Sequence, residues 1–371
     1  MKFSCNQQAL SKALNTVSKA VSSRTTINIL KGVLIKASAD GKIKLSASDL
    51  DISIEKTIDA NVEEEGLIVV SAKLFTEIIR KLPNDEVYIE VKENGNVNIK
   101  TLTSDFDIYG QSAEEFPNIG EVKDVKAQLS FDKKMFSDMV RKTFFCASID
   151  ESKGIIVGVL MELKDGSFSM AALDGFRMAV ARETMQYEKE EKIVISARNL
   201  NEINKILTDS ESDEDIAVII SDKKAVILLE KTKIIVRLLE GDFIKYRDIL
   251  PKEYKTDIII ERKILIDAIE RASLMAKEGK NKLIRFNIKE NLLNITSNSE
   301  EGRVKEDIIM EKSGDDLEIG FNSTYVMDAL KAVEDEQIKM RFNTATTPCV
   351  VQPLEGERYE YLILPVRIPS M

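Results

Sequence analysis

Three times along the chain, an apolar strand-like run gives way to a helical pattern. Phe3–Ser22 reads FSCNQQALSKALNTVSKAVS, Phe131–Ser148 reads FDKKMFSDMVRKTFFCAS, and Ile260–Lys277 reads IERKILIDAIERASLMAK. Each copy then spaces apolar residues at i, i+3, i+4 and i+7, which gathers them on one helix face. The stripe is Leu10, Ala13, Leu14, Val17 and Val21 in the first copy, and Leu265, Ala268, Ile269, Ala272 and Ala276 in the third. The copies begin at positions 3, 131 and 260, a period of 128 to 129 residues, so the chain is a tandem array.

A second pattern repeats in phase with the first. Leu67–Leu82, Lys192–Leu207 and Leu317–Val333 each give a short apolar strand, then an N-cap residue (Ser71, Ser196 or Asn322), then an amphipathic segment. The two patterns together predict helices over 7–22, 72–82, 132–147, 197–208, 261–277 and 322–333. Between them run short alternating strands with Asp-Gly turns at Asp40-Gly41, Asp165-Gly166 and Asp174-Gly175, the signature of antiparallel hairpins. Each repeat is therefore about two helices on eight strands, an α+β layering. Polar stretches near Val122–Lys126 and Glu253–Asp257 set expected domains at 1–124, 125–255 and 256–371.

Composition bounds what this array can do. Hydrophobic residues at 43% and charged residues at 31% describe an ordinary globular chain. No apolar run approaches the roughly 20 residues of a membrane span, and the first residues lack a signal-peptide core, so no membrane partner and a cytoplasmic location are expected. Cys5, Cys146 and Cys349 are far apart and odd in number, which fits buried thiols in a reducing compartment. The chain has no histidine, so the commonest general base and zinc ligand are both missing. It contains no phosphate-binding Gly-Lys-Ser/Thr loop, dinucleotide fingerprint, nucleophile elbow or zinc-spaced cysteine pair. The acidic runs Glu63–Glu65 and Asp209–Asp215 have no ligand spacing and read as solvated loops. Catalytic, cofactor and metal residues are all expected to be none, and a binding or scaffolding role is the better reading.

The net charge of −10 looks wrong for a nucleic-acid binder, but its distribution is not uniform. The six expected helices carry +8, which leaves −18 for the rest. Cationic helices on an acidic body suggest one basic surface turned to a polyanion. Ordinary solvated helix faces are the alternative.

At this point specific motifs enter. Arg24 in SSRTTINILKGVL, ALDGFRMAV at Ala172–Val180, EGDFIKYRDILP at Glu240–Pro251, GFNSTYVMDAL at Gly320–Leu330 and YLILPVRI at Tyr361–Ile368 occur in order over the full length. In that order the chain resembles the bacterial sliding clamps, the β subunits of DNA polymerase III. The resemblance implies the DNA-clamp fold and a head-to-tail homodimer of three-domain protomers closing a ring on duplex DNA. Helices would line the hole, sheets would form the wall, and there would be no catalytic activity. Sequence-independent contact with phosphates would then allow sliding. Residues placed toward DNA are Arg24, Lys12, Lys73, Arg80, Lys134, Arg141, Arg198 and Lys205.

The resemblance further implies a groove for short linear peptides of the replicative polymerase, the clamp loader and other replication or repair proteins. Its residues would be Ile156, Leu173, Gly175, Phe176, Arg177, Met178, Ile244, Ile249, Asn322, Tyr325, Val350, Leu364, Pro365, Val366 and Arg367. Phe176 stands where the family often has His, and Ile244 where it often has Pro. Pro369-Ser370-Met371 extends past the final motif. Ring closure would bring Ser104–Tyr109 to Ala272–Lys280 of a second copy, with Phe106 and Ile108 against Leu274 and Met275. Asp105 and Asp107 would face Arg303 or Lys305. Two other readings are a monomeric peptide-binding adaptor that never encircles DNA, and an enzyme in an inter-repeat cleft.

Overall fold

The computed structural model describes residues 1–22, 25–120, 122–187, 189–276 and 281–368. Among the described residues six α-helices form where the patterns place them: α1 (Gln7–Val17), α2 (Ala72–Lys81), α3 (Lys133–Thr143), α4 (Ala197–Asp209), α5 (Arg262–Ala276) and α6 (Ser323–Lys331). The expected N-caps are in place. Ser71 Oγ accepts from Leu74 N at 3.5 Å, Ser196 Oγ from Asn199 N at 3.2 Å, and Asn322 Oδ1 from Thr324 N at 2.9 Å. Such caps satisfy amide groups that have no partner inside the helix. The first-module helices stop short of their expected ends, because α1 and α3 each tighten into a 3-10 turn at Ser18–Ala20 and Phe144–Cys146. In α3, the Thr143 hydroxyl donates back to the Met139 carbonyl at 2.8 Å, a bond that competes with the helix ladder.

The hairpins also match. Gly32–Ser38, Lys42–Ser48 and Ile52–Asp59 form one antiparallel run, and Gly158–Lys164, Ser167–Leu173 and Arg177–Thr184 form its counterpart. Asp165 and Gly166 both have positive φ, at 51° and 72°, which is what a tight two-residue hairpin turn requires.

The chain divides into two compact units that cut across the repeats. One comprises Met1–Phe136 and Glu202–Leu238, the other Ser137–Asn201 and Leu239–Met371. In the first unit a single sheet of thirteen strands runs without a break, because Thr232–Arg237 pairs with Ile52–Asp59 (Ile234 opposite Ile54). In the second unit a nine-stranded sheet is continuous, because Arg177–Thr184 pairs with Tyr359–Ile363 (Met178 opposite Leu362), and a four-stranded sheet lies beside α5. Backbone pairing thus ties each half of the central repeat to a different outer repeat.

In both units the helices lay their apolar stripes on sheet faces. Leu10, Ala13, Leu14 and Val17 are fully buried, α1 resting on Lys42–Ser48 and Ile52–Asp59. Leu265, Ala268, Ile269 and Ala272 are fully buried where α5 meets Leu292–Ser299 and Gly302–Ile309. All three cysteines are buried and free, and burial raises each thiol, Cys5 to about 12.

Candidate functional site

The helices of the first unit present lysines that the acidic end of α4 and the segment following it already engage. Lys12 of α1 pairs with Glu211 at 2.8 Å, Lys19 with Asp209 at 2.9 Å, and Lys134 of α3 with Asp213 at 3.1 Å. Those lysines hold the Glu211 and Asp213 carboxyls below their ordinary range. Lys133 is buried and donates to the main-chain carbonyls of Ser210, at 3.0 Å, and Ser212. Asp209–Asp215 is the exposed stretch its sequence suggests, and three of its carboxylates are in addition paired with lysines. Lys19 and Lys133 are not among the cations expected from sequence; Lys133 adjoins the expected Lys134, and Lys19 lies two helical turns after the expected Lys12.

The other expected DNA contacts have differing surroundings. Lys73 and Arg80 are exposed on α2, and Arg198 is exposed near the start of α4. Lys205 is exposed but paired along the helix with Glu202 at 2.6 Å. Arg141 is half-buried. It donates to the Ala332 carbonyl at 2.8 Å and reaches Glu334 at 3.2 Å and Asp138. It therefore acts as a tie to the negative end of α6 rather than as an open cation, because helix ends leave carbonyls without partners. Arg24 lies outside the described residues.

The peptide-groove residues all fall within the second unit, and its core brings most of them together. Leu173, Met178 and Val350 are buried in one cluster with Leu160, Val180, Val194, Tyr246 and Leu362, and Ile156 and Leu364 pack on it. Phe243, Leu250 and Leu239 also pack there and were missed. The segment EGDFIKYRDILP carried the signal, since Phe243, Tyr246 and Leu250 recur at helical spacing. Around this floor stand open apolar residues: Phe176 at 60% exposure, with Ile244 and Ile249 at 42% each.

Arg177 organises one wall. Its guanidinium donates to Asp174 at 3.0 Å, to Asp328 at 2.6 Å and to the Phe145 carbonyl at 2.9 Å, and it lies 4.5 Å from the Tyr325 ring centroid. Phe176 stacks on the other partner of that cation, Tyr325, at 6.3 Å. Gly175 has φ 95°, and the Asp174 carboxylate closes the turn by accepting from Phe176 N at 2.8 Å. A side chain at 175 would strain that backbone.

The final motif is stitched in by main-chain bonds. Leu364 N donates to the Phe176 carbonyl at 2.9 Å, and Val366 N to the Gly320 carbonyl at 2.8 Å. Pro365 and Val366 are half-buried, Arg367 is exposed, and Asn322 serves as the α6 cap. Pro369-Ser370-Met371 lies outside the described residues. These groups combine a buried apolar cluster with exposed apolar residues nearby in sequence and with fixed polar contacts around Arg177.

Two of the partly or wholly unpaired strand edges among the described residues bear on the expected seam. Asp105–Gln111 pairs along one side with Asn96–Lys100, while on the other side only Gly110 and Gln111 pair, with Val69 and Val70. Gly302–Ile309 is the last strand of the four-stranded sheet. Phe106 is 41% exposed, Tyr109 86%, Leu274 58% and Ile309 85%. Met275 is half-buried. Ile108 is not available as expected. At 7% exposure it belongs to the core of its own unit. Asp107 is shared with Lys92 and Asn98, both at 3.2 Å, Asp105 accepts from Asn98 at 2.7 Å, and Lys305 pairs with Asp307 at 3.2 Å. Residues 277–280 of the expected contact lie outside the described residues.

The fold defines a class: a chain of three like α+β repeats in tandem, the architecture of non-catalytic accessory factors of the clamp type. Three sequence profiles match it in order: the N-terminal domain of the DNA polymerase III beta subunit at residues 1–120, the central domain at 130–245 and the C-terminal domain at 247–367. The beta sliding clamp of Halalkalibacterium halodurans is 33% identical over 382 residues, covering 99% of this chain and all of that one. The beta sliding clamp of Bacillus subtilis is 33% identical over 380 residues, with the same coverage. Among solved structures, the Bacillus subtilis DNA polymerase sliding clamp superposes with a TM-score of 0.94 at 32% identity, all of both chains covered. The DNA polymerase III beta subunit of Thermotoga maritima gives 0.92 at 27%, covering 99% of this chain and all of that one. The chain belongs to the DNA polymerase III beta subunit family, the bacterial sliding clamps. No helix among the described residues is long and apolar enough to cross a membrane.

Proposed function

We propose that two copies of this chain close head to tail into a ring around duplex DNA, as a processivity factor that tethers the replicative polymerase. The reading is supported by one observation: among the strand edges of the described residues, Asp105–Tyr109 and Gly302–Ile309 are unlike one another and each carries exposed apolar side chains. An uncovered strand edge is a template for pairing, and joining unlike edges gives a heterologous contact that closes only at a fixed number of copies. Phe106 would pack against Leu274 and Met275 of the second copy. The domain limits 1–124, 125–255 and 256–371 go forward as part of the proposal.

Lys12, Lys73, Arg80, Lys134, Arg198 and Lys205 would meet phosphates, together with Arg24. Such contacts carry no base information, so closed topology has to supply the retention that weak charge contacts cannot. The expected groove around Leu173, Met178, Val350 and Leu364 would take short linear motifs of the polymerase, clamp loader and repair proteins. Burying one Leu or Phe there is worth about 1.5–3 kcal/mol. Cytoplasmic residence completes the proposal.

The test is polymerase retention on circular and linear DNA with clamp loader present. Retention on circles and loss from open ends is the expected result. Equal behaviour on both templates, together with a native mass near the 41.7 kDa of one chain, would instead favour a monomeric adaptor.

A further inference from the structure

Within the first compact unit, the acidic segment Asp209–Asp215 lies across lysines of two helices. Its carboxylates take Lys12, Lys19 and Lys134, while Lys133 grips its main chain at Ser210 and Ser212. We infer that this segment is an intramolecular stand-in for phosphate, an acidic strap that occupies these helix lysines in the absence of DNA and competes with the duplex for them. The inference rests on reading those helices as DNA-facing.

The contacts fall into two kinds. Lys133, at 8% exposure, is held by carbonyl oxygens and needs no strap carboxylate, so it fixes the backbone of the strap in place. The carboxylate pairs are different. Both side chains of Lys12–Glu211 and of Lys134–Asp213 are at least 70% exposed, so water and salt screen them and they exchange readily. Lys19–Asp209 is the sheltered pair, with Lys19 at 18%. Glu211 is 85% exposed, so open solvent leaves room for its side chain to swing away from Lys12.

A carboxylate and a phosphate offer a lysine the same chemistry, a charged oxygen acceptor. The strap is tethered, so its carboxylates sit at high local concentration, and DNA has to displace them. Ser210 and Ser212 keep the strap turned back on itself, since Ser210 Oγ accepts from Ser212 N at 3.3 Å and Ser212 Oγ from Glu214 N at 3.0 Å. Its effect would be to weaken static adhesion, which favours movement along the duplex over sticking to it.

The experiment is duplex-oligonucleotide binding by fluorescence anisotropy at low and moderate salt. The proteins are wild type, the strap variant D209N/E211Q/D213N, and a control with the same charge change elsewhere, E93Q/E114Q/E115Q. The strap variant is expected to bind about five- to tenfold tighter at low salt, against less than about twofold for the control. K12A/K134A should cost little in the wild-type background and should erase the gain in the strap variant. Equal gains for strap variant and control, or an equal lysine cost in both backgrounds, would overturn the inference. Should the triple variant melt early, E211Q alone asks the same question of Lys12. If no protein binds duplex at low salt, the DNA-facing reading itself fails, which is a separate outcome.

Discussion

Arg177 shows how much one side chain can settle. It is 13% exposed and joins two carboxylates, a main-chain carbonyl and an aromatic ring. Removing it would leave Asp174 and Asp328 without their partner, so Arg177→Ala should cost about 2–4 kcal/mol. A lower thermal midpoint would register that cost, and Arg177→Lys should recover only part, since a lysine cannot reproduce the fork. The cysteines give a pH prediction. Cys5 is raised from 9.0 to about 12 by burial, so the folded state favours the neutral thiol. Its stabilising contribution is complete below pH 9 and is lost as pH climbs toward 12. Thermal midpoints should therefore fall across that window, and an alkylating reagent at neutral pH should label the thiols only after unfolding. Burial of the thiols was legible from their place in apolar patterns. The grip of Arg177 on Asp328 was not, because residues 151 positions apart share no local signal.

At the scale of elements, periodicity located all six helices, since a stripe such as Leu10, Ala13, Leu14 and Val17 has one way to be buried. Where local chemistry competes, as in the back-bond from Thr143, the ends moved. The path of the acidic strap was illegible for a similar reason: solvated and lysine-paired carboxylates look alike in sequence. The C-terminal segment offers a test of a close approach. A Cβ on Gly320 would lie 2.7 Å from the Val366 carbonyl oxygen, 2.8 Å from Leu283 Cδ1 and 2.9 Å from Ile368 Cγ1. Gly320→Ala should push the segment off its strand at a cost of about 1–3 kcal/mol. Titration with a Leu/Phe-containing peptide should show weaker binding, with the mass of the protein in solution unchanged.

For the whole molecule, the proposed ring depends on the edges at Asp105–Tyr109 and Gly302–Ile309. Phe106→Asp places a charge in the expected seam and should shift the native mass toward 41.7 kDa, as read by light scattering. Asp107→Lys addresses the finer suggestion of a charge pair with Arg303 or Lys305. If that variant keeps its full mass, the pair contributes nothing. Peptide binding should survive both changes, because the expected groove is built from other strands.

The two continuous sheets also bear on any attempt to excise the middle third of the chain. Thr232–Arg237 would lose Ile52–Asp59, and Arg177–Thr184 would lose Tyr359–Ile363, so a 125–255 fragment would emerge with two raw seams instead of none. Such a piece would self-associate rather than behave as an autonomous module.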